Sequence, residues 1–269
     1  MTGNDEARER AQAPWAAGDW DSFSRLIAPV GALVLDRIGL EPGMSLLDVG
    51  TGSGGNVAIP AALEGARVTG IDITPELLEH ARRRAAEAGV EVEWLEGDAQ
   101  ELPVADASFD RVISTFGAMF APDHARAASE LARVCRAGGR LAITTWASEG
   151  MAGELFKLSG RFFPPPPPGV GVPPEWENEE HIHELFGAAG VAVTVERETV
   201  EFEFPSVEAM VEAYSRDFGV FVIARGMLEP KGRWEEFIGA FAELANRFNL
   251  AADGTARISS DYLLTLGER

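Results

Sequence analysis

Leu46-Leu47-Asp48-Val49-Gly50-Thr51-Gly52-Ser53-Gly54-Gly55 is the stretch from which the rest of the chain can be read. A strand, Ser45 to Val49, leaves the turn Glu41-Pro42-Gly43 and runs into a loop with glycine at alternate positions. A short helix follows to about Leu63, shortened or kinked by Pro60. Glycines are needed in such a loop because a bound ligand must approach the main chain closely and some φ angles turn positive. Strand, glycine loop and helix together open an α/β unit.

Downstream the alternation continues. A second strand runs from about Arg67 to Ile73, and Thr74 and Pro75 open the next helix as N-cap and first helical residue. Leu77, Leu78, Ala81 and Ala85 form its inner stripe, and Gly89 ends it. Strands follow at about Val90 to Leu95 and Arg111 to Thr115. A helix from Asp123 to Ala137 stops at Gly138-Gly139, before a fifth strand from Arg140 to Trp146. This pattern predicts a mostly parallel sheet covered on both faces, with ligands at the C-terminal ends of the strands.

Upstream, Trp15 to Ile38 has helical spacing that Pro29 and Gly31 should split in two, and residues 1 to about 12 read as frayed. After Trp146 the pattern changes. Phe162 and Phe163 precede five consecutive prolines, Pro164 to Pro168, which read as an extended polyproline stretch or an ordered lid. Helical patterning returns at Glu180 to Ala189, strand character at Val191 to Phe204, helices at Ser206 to Met227 and Gly232 to Phe248, and a last strand at Ala256 to Leu266.

Composition bounds the function. The 269 residues are 46% hydrophobic and 25% charged, an ordinary globular balance. With 43 acidic against 23 basic residues the net charge is −20, which repels phosphate backbones and argues against nucleic acid as a partner. No apolar run reaches the about 18 residues of a membrane span, and Met1 to Arg10 has no secretion-signal character. Cys135 is the single cysteine, so intrachain disulfides and Cys-rich zinc sites are excluded. A reducing, cytoplasmic setting is the expectation.

Three carboxylates carry the chemistry. Asp48 ends the first strand beside a Gly-x-Gly-x-Gly loop rather than Gly-x-Gly-x-x-Gly. A pyrophosphate would be repelled by that carboxylate, whereas the amino acid portion of S-adenosylmethionine carries an ammonium. Asp72, in Gly70-Ile71-Asp72-Ile73, can accept both hydroxyls of a ribose, a device that NAD sites share. Asp98, in Glu96-Gly97-Asp98-Ala99, can accept from an adenine amino group.

On these residues the stretch from about Trp15 to Trp146 resembles a class I S-adenosylmethionine-dependent methyltransferase, nearest to the ubiquinone and menaquinone biosynthesis C-methyltransferases. Asp48, Gly50, Gly52 and Gly54 match the family's first motif, Asp72 its ribose-binding acid and Asp98-Ala99 its adenine-binding pair. Phe109 to Ser114 and Glu130 to Leu141 match the fourth-strand motif and the following helix, turn and strand, with Ala137 where the family usually has proline. The resemblance implies S-adenosyl-L-methionine as cofactor, bound by Asp48, Gly50, Thr51, Gly52, Gly54, Asn56, Asp72, Ile73, Asp98, Ala99 and Ser114. It also implies a Rossmann-like open α/β sheet of seven strands in the order 3-2-1-4-5-7-6, with Val191 to Phe204 and Ala256 to Leu266 as the final pair and the last strand antiparallel. Residues 1–40 would form an N-terminal helical segment, 41–147 the cofactor-binding core, and 148–269 the acceptor lid and the completion of the same sheet.

The expected reaction is O- or C-methylation of a small, apolar or aromatic acceptor. Trp15, Trp20, Phe23, Phe116, Met119, Phe120 and Trp146 are candidates for the acceptor pocket, and Phe162, Phe163, Trp176, Tyr214 and Phe218 for its lid. Asp123 reads as a helix N-cap with His124 in the first turn, while a second reading makes His124 a general base. His80, His181 and His183 read as solvated, and no pair of histidines has metal-site spacing. Two other classes remain: an S-adenosylmethionine-binding cyclase or regulator that does not methylate, and an NAD-dependent oxidoreductase, for which the Gly-x-Gly-x-x-Gly loop is missing.

Overall fold

The computed structural model describes residues 12–165, 167 and 169–269. The reading of the first residues as frayed, and part of the reading of the proline run, lie outside them. Seven strands form one sheet in the order β3-β2-β1-β4-β5-β7-β6. They are β1 (Ser45–Val49), β2 (Arg67–Asp72), β3 (Glu93–Glu96), β4 (Phe109–Thr115), β5 (Cys135–Gly150), β6 (Ala192–Phe204) and β7 (Ala256–Glu268). β3, β2, β1, β4 and β5 pair in parallel, and β7 is antiparallel to both β5 and β6. The central strands are buried along their length, as a sheet with two covered faces requires. The expected sheet is therefore present, including its antiparallel last strand.

The helices in chain order are α1 (Trp20–Leu26), α2 (Ala28–Ile38), α3 (Ala58–Leu63), α4 (Pro75–Ala88), α5 (His124–Val134), α6 (Met151–Ser159), α7 (Glu179–Ala188), α8 (Val207–Asp217), α9 (Gly219–Leu228) and α10 (Trp234–Phe248). Among the described residues no helix is long and apolar enough to cross a membrane.

Several boundaries differ from the sequence reading, each for a local reason. The break between α1 and α2 falls at Ile27, so Pro29 sits in the first turn of α2, where its missing N–H is harmless. Gly31 does not break α2. It lets the helix lie against the main chain at Asn56, where a Cβ would come within 2.0 Å of the Asn56 carbonyl oxygen. Gly31→Ala should therefore lower the melting temperature, although alanine is the better helix former by about 1 kcal/mol. A thermal melt showing equal or higher stability would contradict this packing.

Thr74 precedes α4 as expected, yet its side chain makes no capping bond. Asp72 Oδ1 instead accepts from the Thr74 N–H at 2.9 Å. α5 ends at Val134 rather than Ala137. The Arg133 and Val134 carbonyls accept from the N–H groups of Ala107 and Ser108, and Cys135 turns extended to pair with Phe109. β5 consequently begins earlier and runs 16 residues, past Trp146 to Gly150. The helix expected over Ser206 to Met227 is two, broken at Phe218. There Gly18 bridges Phe218, and the Asp19 N–H donates to the Asp217 carbonyl at 2.7 Å, so an N-terminal segment occupies the break.

Candidate functional site

The glycine loop stands where the buried, apolar β1 delivers it, at the C-terminal edge of the sheet. Gly50, Gly52 and Gly54 all have positive φ, for different reasons. A Cβ on Gly50 would fall 2.8 Å from the Gly117 Cα, and one on Gly54 would fall 2.5 Å from the Trp94 ring. A Cβ on Gly52 would meet nothing within 4 Å. The first and third glycines let the protein pack on itself, and the second faces open space.

Two of the three carboxylates bond to this loop. Asp48 is buried, and its Oδ2 accepts from the Thr51 hydroxyl at 2.6 Å. Burial pushes its carboxyl up to about 7, opposed by hydrogen bonds from Thr51 and the Ala58 main chain and assisted by the nearby Asp72 charge. Asp72 is also buried, its Oδ2 accepting from the Gly52 N–H at 2.8 Å, and burial raises its pKa as well. Each carboxylate has about four acceptor positions, so these bonds leave room for a ligand's hydroxyls. Asp98 is half-buried and held in a turn by Gln100, whose main-chain N–H donates to Oδ1 at 2.8 Å. Ile73 follows Asp72 on the same edge, and Ala99 packs against the core. The Ser114 hydroxyl is engaged on both sides, donating to the Val49 carbonyl at 2.7 Å and accepting from the Ala118 N–H at 2.8 Å. Among the described residues it is a tie between β4 and β1.

Asp48 sets a pH dependence. A carboxyl with a native pKa above its unfolded value of about 3.8 binds its proton more tightly when folded. Its stabilising contribution is full below about 4 and is lost as pH rises through about 7. Asp48→Asn should therefore raise the urea midpoint at pH 8 relative to wild type and leave it nearly unchanged at pH 4. Equal shifts at both values would show that Asp48 is ionised throughout. By the same linkage, a cationic ligand group beside Asp48 should bind with proton release near pH 6.

The loop opens on a cavity of about 200 Å³. Gly50 to Ser53, Gly55 and Asn56 form one wall. The others are aromatic, with Trp15, Trp20 and Phe23 from the N-terminal segment, Phe116, Phe120 and Trp146 from the sheet edge, and Tyr214, Phe218 and Phe221 from α8 and α9. Phe116 stacks on Trp146 with centroids 3.8 Å apart and planes 6° apart, and Phe23 on Phe218 at 4.5 Å. Phe116 holds a left-handed backbone, φ 53, fixed by Thr144, whose carbonyl and hydroxyl both accept from its N–H. Two polar atoms of lining residues, Asn56 Oδ1 and Thr115 Oγ1, are buried without a partner among the described residues.

The residues fit a ligand that donates hydrogen bonds and carries positive charge: the loop offers open space at Gly52, an amide oxygen at Asn56 with no partner among the described residues, and the carboxylates of Asp48 and Asp72 bonded to it. The acids themselves are not part of the cavity lining, which leaves the cavity wall without a charged side chain.

The expected aromatic set thus converges, with exceptions. Met119 is core, Phe162 and Phe163 pack on Phe237, and Trp176 lies buried beside His124 and Phe186. The described residues of the proline-rich stretch contribute nothing to the lining, whereas α6 supplies Met151, Leu155 and Phe156 and β6 supplies Phe202. The helical spacing of Met151, Leu155 and Leu158 is the signal that would have revealed α6. Asp123 is the N-cap of α5, accepting from the Arg126 N–H at 2.9 Å. His124 follows in the first turn, buried and outside the cavity lining. His80 and His183 are exposed as read, but His181 is half-buried and faces His124.

A family model described as a methyltransferase domain matches residues 47–143. An uncharacterised protein of Mycobacterium tuberculosis is 45% identical over 173 residues, 64% of this chain and 63% of the relative, so the match spans less than two thirds of that protein's length. A demethylmenaquinone methyltransferase of Thermus thermophilus is 38% identical over 126 residues, 46% of this chain and 50% of the relative. A phosphatidylethanolamine N-methyltransferase of Cereibacter sphaeroides is 34% identical over 140 residues, 51% of this chain and 67% of the relative. Among solved structures, a putative methyltransferase of Bacillus halodurans superposes with a TM-score of 0.61 at 22% identity, covering 88% of this chain and 97% of that one, a likeness of fold.

Proposed function

The chain belongs to the class I S-adenosylmethionine-dependent methyltransferases, and we propose that it methylates a small, apolar or aromatic acceptor held in the aromatic cavity. The observation that carries this reading is the shared wall: one continuous cavity is bounded by the glycine loop on one side and by aromatic side chains on the others. Substrates named for two relatives, a demethylmenaquinone and a phosphatidylethanolamine, have large apolar portions that accord with such a lining.

In this reading Asp48, Thr51, Asn56 and the main chain from Gly50 to Gly54 hold the amino acid end of S-adenosyl-L-methionine. Asp72 and Ile73 hold the ribose, and Asp98 and Ala99 the adenine. When bound, the cofactor supplies an electrophilic methyl group on a positively charged sulfur. The protein's task is then positional: Phe116 and Trp146 fix one wall by their stacking, while Trp20, Phe23 and Phe218 close the other against water. Holding two reactants in line in a dry site is worth roughly 7–11 kcal/mol in favourable cases. The polar lining groups, Thr115, Ser159 and Tyr214, are the candidates to orient an acceptor hydroxyl. His124 stands apart from the lining, so this reading gives it no part in proton transfer. α8 and α9, with α6, act as the acceptor lid.

The test is calorimetric titration with S-adenosylmethionine, S-adenosylhomocysteine and NAD, followed by incubation with a panel of apolar phenols and quinones and mass analysis of the products. Micromolar binding of both adenosyl ligands, none of NAD, and a gain of one methyl group in an acceptor are expected. Binding without any methylated product across the panel would move the reading to a non-methylating use of the same cofactor. Absence of adenosyl binding would overturn it.

A further inference from the structure

We propose that His124, Glu175 and His181 form a divalent metal site of the zinc type, which fastens the proline-rich connection to the start of α5. The three residues are 51 and 57 positions apart from His124 along the chain, so no local spacing announces them. The fold brings them together from the first turn of α5, the short turn Pro173–Glu177, and the first turn of α7.

The distances favour an ion over direct bonds. His124 Nδ1 lies 3.4 Å from His181 Nε2 and 3.6 Å from Glu175 Oε2, and all three ligand atoms lie within 4.8 Å of one another. An N–H donor bound directly to N or O sits nearer about 3.0 Å. A tetrahedral ion with bonds of about 2.0–2.1 Å holds its ligand atoms about 3.4 Å apart. The two spacings from His124 Nδ1 are thus those an ion would impose, and the Glu175 and His181 atoms lie within 4.8 Å of each other, a gap their side chains can close around it. Two imidazoles and a carboxylate are a donor set that zinc accepts, leaving a fourth position for water.

The rigid member is His124. Its ring is buried, and among the described residues its Nε2 has no hydrogen-bond partner, so packing holds that side of it. Trp176 lies against it with centroids 5.2 Å apart. On another side passes the main chain at Gly171, where a Cβ would fall 2.6 Å from Nε2. Glu175 and His181 are more exposed and can adjust by a few tenths of an ångström. Asn178 caps α7, its Oδ1 accepting from the His181 N–H at 3.3 Å, which fixes the backbone from which that ring extends. The same region is already tied to the core: Gly171 N–H donates to the Pro122 carbonyl at 2.8 Å, and Trp176 is fully buried. An ion here would cross-link three segments and stabilise the protein by mass action. It takes no part in the reading of the cavity and does not depend on it.

The test uses the full chain without a histidine tag, stripped with a chelator and titrated with cobalt(II), then back-titrated with zinc(II). One cobalt per chain, with the visible absorption of a four-coordinate ion, is expected. Zinc should displace it and raise the melting temperature. His181→Ala, at a half-exposed position, should weaken zinc binding about 100-fold and abolish the thermal shift. Glu175→Gln should weaken it less, and the exposed His183→Ala not at all. If His181→Ala fails to fold, His181→Gln takes its place. No stoichiometric cobalt spectrum, or zinc binding indifferent to the loss of His181, would overturn the proposal.

Discussion

Replacing Gly52 with alanine should leave a folded protein that binds its cofactor far more weakly. The φ of Gly52 is 56, so a side chain there costs on the order of 1 kcal/mol of backbone strain, but its Cβ would meet no protein atom within 4 Å. The methyl group instead enters the space a ligand must occupy to reach the loop's main chain. Affinity for S-adenosylhomocysteine should fall about 100-fold, equivalent to ~2.7 kcal/mol. Gly50→Ala makes the contrast. Its added Cβ would press on the Gly117 main chain at 2.8 Å, and backbone packed on backbone cannot rotate away. That variant should lose several kcal/mol of stability along with binding. Melts and calorimetry on both separate a site glycine from a packing glycine. Unchanged affinity in Gly52→Ala would place the ligand elsewhere.

Asp72→Asn should weaken adenosyl ligands by a further large factor, about 100-fold, with modest loss of stability. Hydrogen bonds to a charged group are worth about 1.5–3 kcal/mol, and two ribose hydroxyls would be affected. The amide oxygen can still accept from one of the two N–H groups, Gly52 and Thr74, that the carboxylate now serves. Asp72→Ala removes both acceptors. Leaving two buried N–H groups unpaired costs about 1–3 kcal/mol each, so this variant should also melt lower. Calorimetry showing full affinity in Asp72→Asn would remove the ribose assignment, whatever happens to stability.

What the sequence disclosed follows from how locally each feature is determined. The strand, glycine loop and Asp48, Asp72 and Asp98 are legible because each element is specified by adjacent residues and the parallel α/β rule aligns their ends on one edge. The end of α5 was not, because it is set by the carbonyls of Arg133 and Val134 bonding to Ala107 and Ser108, residues that no helical periodicity mentions. The break at Phe218 escaped for the same reason, since its cause is the segment around Gly18, some two hundred residues earlier. Gly31 was misread because a glycine inside a helix signals either a break or a close contact, and only its neighbour at Asn56 distinguishes the two. The aromatic wall was half visible: Trp20, Phe23, Phe116 and Trp146 sit near the loop in sequence or at strand ends, whereas Phe156, Phe202 and Phe221 arrive by tertiary packing. The sequence around His181 reads as solvated because its partner lies 57 residues away.

The division of the cavity walls between distant parts of the chain has a consequence for descent. The loop wall is short and tightly constrained, with Gly50 and Gly54 each fitted against a neighbour. Much of the opposite wall comes from residues before 28 and after 150, on helices whose outer faces have no part in the sheet. Substitutions at Trp20, Leu155, Phe156, Phe218 or Phe221 can reshape the acceptor chamber while the loop is untouched. Such a molecule can drift from one guest to another in single steps without passing through a form that has lost its grip on the shared half of the reaction.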